Sequence, residues 1–318
     1  MPRPGRAGPV ATLTLNPSVD LCASVDRIEP TRKLRCYDVR RDPGGGGINI
    51  ARVIRRLGGR AVAIFPAGGA PGERLKAMLR AERTPFHSLD IAGETREDFT
   101  AQDHLTGEQY RFVMPGPRLK PAEWAAALDA VATLDPAPAI LAASGSLPPG
   151  APAGLYGRLA MSARSTGIRL ALDAAGPALR YGLAAGVWLV KPNLRELEEL
   201  TGHPLPDMAS RLEACRAIVS HGGAEIVALS MGAQGALLVS ASEAWRAEAP
   251  ALTPLSAIGA GDSFMAALTW ALHAGAAPAE ALRRAVAAGS AALLAPGTQL
   301  CRAADVRRLL ERVCVSPL

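Results

Sequence analysis

No uninterrupted apolar stretch in this chain reaches the roughly 18 residues needed to cross a bilayer, although 49% of its 318 residues are hydrophobic. A membrane-spanning role is therefore excluded as a reading. The five cysteines, Cys22, Cys36, Cys215, Cys301 and Cys314, form no C-x-x-C pair and have no histidine at metal spacing. That excludes a zinc module and points to a reduced, cytoplasmic protein. Despite a net charge of +6, no run of five or six basic residues occurs, so nucleic acid is not the expected partner. Anionic small molecules, or arginine-rich coding bias, account for the charge as well. Internal repeats and low-complexity linkers are absent too. The Pro-, Gly- and Arg-rich start, residues 1–9, lacks the long apolar core of a signal peptide and reads as a loose tail.

Short apolar runs alternate with amphipathic segments. Ala11–Leu15, Ala61–Phe65, Ala139–Ala143, Ile168–Leu172, Val187–Val190 and Ile226–Leu229 read as buried strands. Helices are expected over Ile48–Leu57, Glu73–Ala81, Asp262–His273, Pro278–Leu294 and Ala303–Val313. This order predicts an α/β fold with a mostly parallel sheet covered on both faces. One domain spanning 10–318 is expected. Near 20–42 and 95–114 the pattern changes to alternation, which predicts a small antiparallel flap beside the main sheet. Its apolar face must be covered by the core or by a second subunit, so a homodimer through the flap is expected.

Four segments carry chemistry. In Ile258-Gly-Ala-Gly-Asp-Ser-Phe264, small residues run into a helix whose first turn holds Asp262. Backbone N–H groups at Gly259, Ala260 and Gly261 can approach an anion at the positive end of the helix. Asp262 can accept the proton of a hydroxyl there, or it can simply cap the helix. Pro43-Gly-Gly-Gly-Gly-Ile-Asn49 leads another helix and matches neither the P-loop nor the dinucleotide fingerprint. It reads as a ligand contact, a hinge or both. Lys191-Pro-Asn-Leu-Arg-Glu196 places Asn193 and Glu196 three residues apart, able to hold magnesium waters or to form a capping box. Ser230-Met-Gly-Ala-Gln-Gly235 follows a buried strand and can either cradle phosphates or turn a hairpin.

Together these segments resemble the PfkB, or ribokinase-like, carbohydrate kinases, in that family's order and over nearly the whole chain from Thr12. Leu13-Thr-Leu-Asn-Pro-Ser-Val-Asp20 looks like the branch that phosphorylates phosphoketohexoses. The all-glycine run before Asn49, with Gly107–Gly116 and Ser144–Gly150, looks like the minor-type bacterial 6-phosphofructokinases. The resemblance implies a ribokinase-like three-layer fold with a β-sheet lid. It further implies phosphorylation of fructose 6-phosphate by ATP with magnesium, Asp262 being the base. The neighbouring expectations are another phosphoketose kinase, acting on fructose 1-phosphate or tagatose 6-phosphate, and a catalytically silent sugar or nucleotide sensor. By the same resemblance Asp20, Gly45, Gly46, Asn49 and Ser146 lie along the sugar, with Lys33, Arg35 and Arg96 as cations for its phosphate. Lys191, Asn193, Ser230 and Gly232 would lie along ATP, and Glu196 near magnesium. Oxygens near Ser256, Ile258, Ala292 and Gly297 match a potassium site of relatives. The chain departs from the family at Ala257-Ile258, where a polar pair is usual, and at Gln299, where close relatives carry arginine.

Overall fold

A computed structural model describes residues 8–318. The proposed tail therefore lies mostly outside the described residues, and of it only Gly8 and Pro9 are seen. In chain order the elements are β1 (Val10–Leu13), β2 (Ser18–Val25), β3 (Tyr37–Gly44), α1 (Gly46–Arg56), β4 (Ala61–Ala67), α2 (Gly69–Ala81), β5 (Phe86–Asp90), β6 (Arg96–Asp103), β7 (Gln109–Phe112) and α3 (Pro121–Ala132). They continue with β8 (Ile140–Ser144), α4 (Leu155–Ser165), β9 (Arg169–Asp173), α5 (Gly176–Ala185), β10 (Val187–Val190), α6 (Leu194–Thr201), α7 (Met208–Ser220) and β11 (Ala224–Ser230). The last are β12 (Ala236–Ser240), β13 (Ala244–Ala247), α8 (Ala260–His273), α9 (Pro278–Ala292), α10 (Ala303–Leu310) and β14 (Val315–Pro317).

The six apolar runs all lie in one ten-stranded sheet of order β14-β13-β12-β11-β10-β9-β8-β1-β4-β5. From β5 to β11 every pairing is parallel, and β12, β13 and β14 extend the edge in antiparallel fashion. Successive residues of the inner strands enter opposite layers, as the two-residue period requires. Ile140 and Ala142 pack beneath α1, α2, α8, α9 and α10, while Leu141 and Ala143 pack beneath α3, α4, α5, α6 and α7. Burial on both faces is why these strands read as continuous apolar runs rather than alternations.

The alternating segments form a second, four-stranded sheet of order β3-β2-β6-β7. It is mixed rather than antiparallel as expected. The β2–β3 and β6–β7 pairs are antiparallel, but β2 and β6 run parallel from Ser18↔Arg96 to Val25↔Asp103. The reason is topological: β2 and β6 both leave the same end of the main sheet, and the chain between them passes through β3, α1, β4, α2 and β5. The register fixes what faces what. Ser18 and Asp20 share one face of β2 by their spacing, and they pair with Arg96 and Asp98 on β6; Thr100 in turn pairs with Arg111 on β7.

Candidate active site

Where β1, β8, β9 and β10 end, the two sheets and the starts of α1 and α8 enclose a cavity of about 450 Å³. Open parallel sheets put their ligands at this carboxyl end. Asp262 lies on its wall with Gly45, Gly46, Asn49, Asp20, Arg96, Ser146, Glu196, Ile258, Gly259 and Gly261. Residues from distant parts of the chain thus meet at one cavity.

The start of α8 is glycine-led for a geometric reason. Gly259 is the N-cap with φ +75°, a left-handed conformation costly for other residues. No side chain caps this helix. Asp262 therefore does not cap it, contrary to one of the two readings of that residue. Its Oδ2 accepts a 2.8 Å hydrogen bond from Asn49 Nδ2 instead. Helix α1 starts inside the glycine run, with Gly45 as N-cap and again no side-chain cap. The run is consequently a helix start packed against the site. A methyl group on Gly46 would overlap Ser144 Oγ and come within 3.2 Å of Asp262 Oδ1, so only glycine lets these two elements close.

Electrostatics single out Asp262. Burial raises its pKa to about 6, and the charge of Asp173 adds to the rise, while the Asn49 hydrogen bond and Lys191 work the other way. Lys191 Nζ lies 3.1 Å from Asp173 Oδ1. Burial opposes its charge, but Asp173 and Glu196 outweigh that and raise its pKa. Asp20, which accepts a 2.6 Å hydrogen bond from Ser18 Oγ, is also raised by burial, and Asp98 adds to the effect. Arg96 donates to Asp98 at 3.1 Å and to the Met114 carbonyl at 2.8 Å, which ties β6 to the segment after β7.

Asn193 and Glu196 form the capping box that was the structural reading of their spacing: Asn193 Oδ1 accepts from Glu196 N, and Glu196 Oε2 accepts from Asn193 N, both at 2.9 Å. Glu196 still lines the cavity, and burial raises its pKa. Its second oxygen is a hard donor of the kind magnesium takes together with phosphate oxygens and waters, so Glu196 fits that ion. Among the described residues no cluster of three metal-ligating side chains forms a protein-only metal cage. Ser230 sits beside Asn193 through a parallel bridge, and Gly232 lies in the turn that joins β11 to β12 as a hairpin. These two, like Lys191 and Asn193, do not line the cavity. Ser256 Oγ lies 2.9 Å from the Gly297 carbonyl and 3.2 Å from Ile258 N, which brings the 256–258 segment against the loop after Ala292.

Lys33 and Arg35 do not join the site in this chain; both are exposed in the connection between β2 and β3. In contrast, Asp173, Asp98 and Arg111 line the cavity and were missed. Asp173 had a readable signal, being the first charged residue at the carboxyl end of a buried strand. Arg111 and Asp98 follow only from the register of the small sheet.

Residues 13–305 match the pfkB family carbohydrate kinases. The ATP-dependent 6-phosphofructokinase isozyme 2 of Mycobacterium tuberculosis is 43% identical over 302 residues, 95% of this chain and 89% of that protein. The enzyme of the same name from Escherichia coli is 42% identical, over 94% of this chain and 97% of its own. The crystal structure of Escherichia coli phosphofructokinase-2 with substrates and products superposes with a TM-score of 0.92 at 41% identity, covering 96% and 99% of the two chains. With the fold, the glycine-led helix starts and the matched span in agreement, the chain belongs to the pfkB family of carbohydrate kinases.

Proposed function

We propose that the chain transfers the γ-phosphate of ATP to the 1-hydroxyl of fructose 6-phosphate, releasing ADP and fructose 1,6-bisphosphate. The observation that carries this reading is Asp262, a buried carboxylate with pKa about 6 at an uncapped helix start. At neutral pH about nine-tenths of it is ionised, yet it is a stronger base than an ordinary aspartate. It takes the hydroxyl proton as the oxygen attacks. The free N–H groups at the start of α8 then stabilise the negative charge of the transferring phosphoryl group. Lys191, held by Asp173, lies beside Gly261 and adds a cation on the nucleotide side. Magnesium, when bound near Glu196, neutralises nucleotide phosphate charge.

On the sugar side, Asp20 and Asn49 face the cavity to bind hydroxyls, and Arg96 and Arg111 supply cations for the sugar phosphate. The small sheet acts as a lid that excludes water, which would otherwise take the phosphoryl group. Tyr37, Val39, Phe112 and Val113 of that sheet and its edge are exposed, and a second copy of the chain covers them in a homodimer. Main-chain oxygens of 256–258 and 292–297 suit a potassium ion. The protein works in the cytoplasm, consistent with the absence, among the described residues, of a helix long and apolar enough to cross a membrane.

A coupled assay of ADP release tests the reading, with magnesium-ATP and, in turn, fructose 6-phosphate, fructose 1-phosphate, tagatose 6-phosphate and ribose, with and without potassium. Preference for fructose 6-phosphate supports it. Preference for another phosphoketose keeps the mechanism and changes the acceptor, and silence on every sugar leaves a sensor.

A further inference from the structure

Arg52 on α1 is only 1% exposed, deeper than any other charged residue among those described. Every nitrogen of its guanidinium donates. Nε and one terminal nitrogen donate to the two oxygens of Glu82, the C-cap of α2, at 2.7 and 2.6 Å. The other terminal nitrogen donates to the Pro43 carbonyl at 2.9 Å and to Asn49 Oδ1 at 3.1 Å. Asn49 in turn donates from Nδ2 to Asp262 Oδ2. A continuous chain of hydrogen bonds thus runs from the end of α2 through Arg52 and Asn49 to the carboxylate at the head of α8.

An asparagine amide has nearly the same shape either way round, so its neighbours decide which end points where. Here one neighbour, the guanidinium, can only donate, and the other, an ionised carboxylate, can only accept. Without Arg52 the amide is free to turn its oxygen toward Asp262, an arrangement that favours the protonated acid. We propose that Arg52 is a positioning residue, fixing the Asn49 amide with its NH2 group toward Asp262 and so holding that carboxylate in its basic form. The inference rests on the reading of Asp262 as the base. Charges acting on Asp262 directly come from Asp173 on β9, Lys191 after β10 and Asp20 on β2, with Glu196, Arg96 and Arg111 further along the same cavity. Substitution at Arg52 leaves all of them in place.

Removing Arg52 alone strands Glu82, so the informative variant replaces both ends of the buried pair, Arg52→Met with Glu82→Met, which such pairs often tolerate. Two readouts apply: the pH profile of kcat/KM with the preferred acceptor, and a ¹³C NMR titration of the Asp262 carboxyl group, assigned through its loss in Asp262→Asn. The double variant is expected to move the acid limb and the carboxyl titration up by about one pH unit, roughly a fivefold loss near pH 6 that approaches tenfold near pH 5, with little change on the alkaline plateau. Arg52→Lys keeps a donor-only cation beside Asn49. It is expected to retain the wild-type limb while losing thermal stability. A folded double variant with an unmoved titration overturns the proposal, as does an equal shift in both variants. Should the double variant not fold, Arg52→Gln with Glu82→Gln removes the donor-only cation while keeping hydrogen-bonding groups at both ends of the pair, and an unchanged Asp262 titration in it is equally fatal. If the wild type phosphorylates no sugar, the functional reading falls, and the NMR titration still decides the role of Arg52.

Discussion

Helices α1 and α8 open on glycine with no side-chain cap, whereas α6 opens on Asn193 and closes its own first turn with Glu196. All three begin at the carboxyl ends of the parallel strands, around one cavity. A helix start leaves backbone N–H groups without partners, and something must satisfy them. In α6 the chain supplies the acceptor itself. In α1 a side chain from outside the helix, Thr14 Oγ1, accepts from Ile48 N at 2.8 Å; in α8 the acceptor has to arrive, and the glycines allow it to come close. The capped start is thus a structural platform that presents Glu196, while the uncapped start of α8 is where an anion is received.

The largest break in this contrast comes from Asp262 at the uncapped start of α8. Asp262→Asn keeps the shape and the hydrogen bond from Asn49 but removes the base, so turnover is expected to fall by roughly a thousandfold or more. Binding of magnesium-ATP, followed by calorimetry, should change by no more than a few-fold. Near wild-type turnover in this variant would end the assignment of Asp262 as base.

The same substitution is expected to stabilise the protein, which sharpens the difference between a residue kept for chemistry and one kept for folding. The folded carboxyl titrates at about 6, against an ordinary 3.8. Between those values the folded state holds the proton that the unfolded state has lost, so stability falls as pH rises through that window. Above it the deficit is complete, about 1–3 kcal/mol once the carboxyl's partial opening to the cavity is allowed for. Thermal melts should therefore show Asp262→Asn above the wild type at about pH 8 and level with it at about pH 3.5. A lower melting temperature at the higher pH would mean that Asp262 holds the fold together.

The main sheet was legible because its inner strands are buried on both faces, and that burial writes unbroken apolar runs such as Val187–Val190. The edge strands β5 and β14, and β12 and β13 next to β14, were not read out. β5 and β13 show mixed burial and β14 has only three residues, whereas β12 is an apolar run as buried as the inner strands and was passed over. In the small sheet the alternation revealed strands but not their partners. Pairing β2 with β6 in parallel depends on two segments some 70 residues apart leaving the same end of the main sheet, which local pattern does not encode. The site divides the same way. Asp262, Asn49 and Glu196 sit in local motifs at helix starts and were found. Asp98 and Arg111 reach the cavity only through register, and Arg52 matters through a contact with Glu82 thirty residues away.

The smallest effect is expected at the capped start. Asn193→Ala removes the acceptor for Glu196 N but keeps the backbone N–H that Glu196 Oε2 accepts from. Loss of an N-cap of this kind costs about 1 kcal/mol, which denaturant unfolding should detect as a shift in midpoint with an unchanged slope. Because Asn193 lies beside the strand ends rather than on the cavity wall, turnover at saturating magnesium-ATP should stay within a few-fold of wild type. The apparent requirement for magnesium should change little, since the backbone N–H of residue 193 still holds Glu196 Oε2. A collapse of turnover comparable to that of Asp262→Asn would erase the distinction between the two kinds of helix start: the capping box would then be part of the chemistry rather than its support.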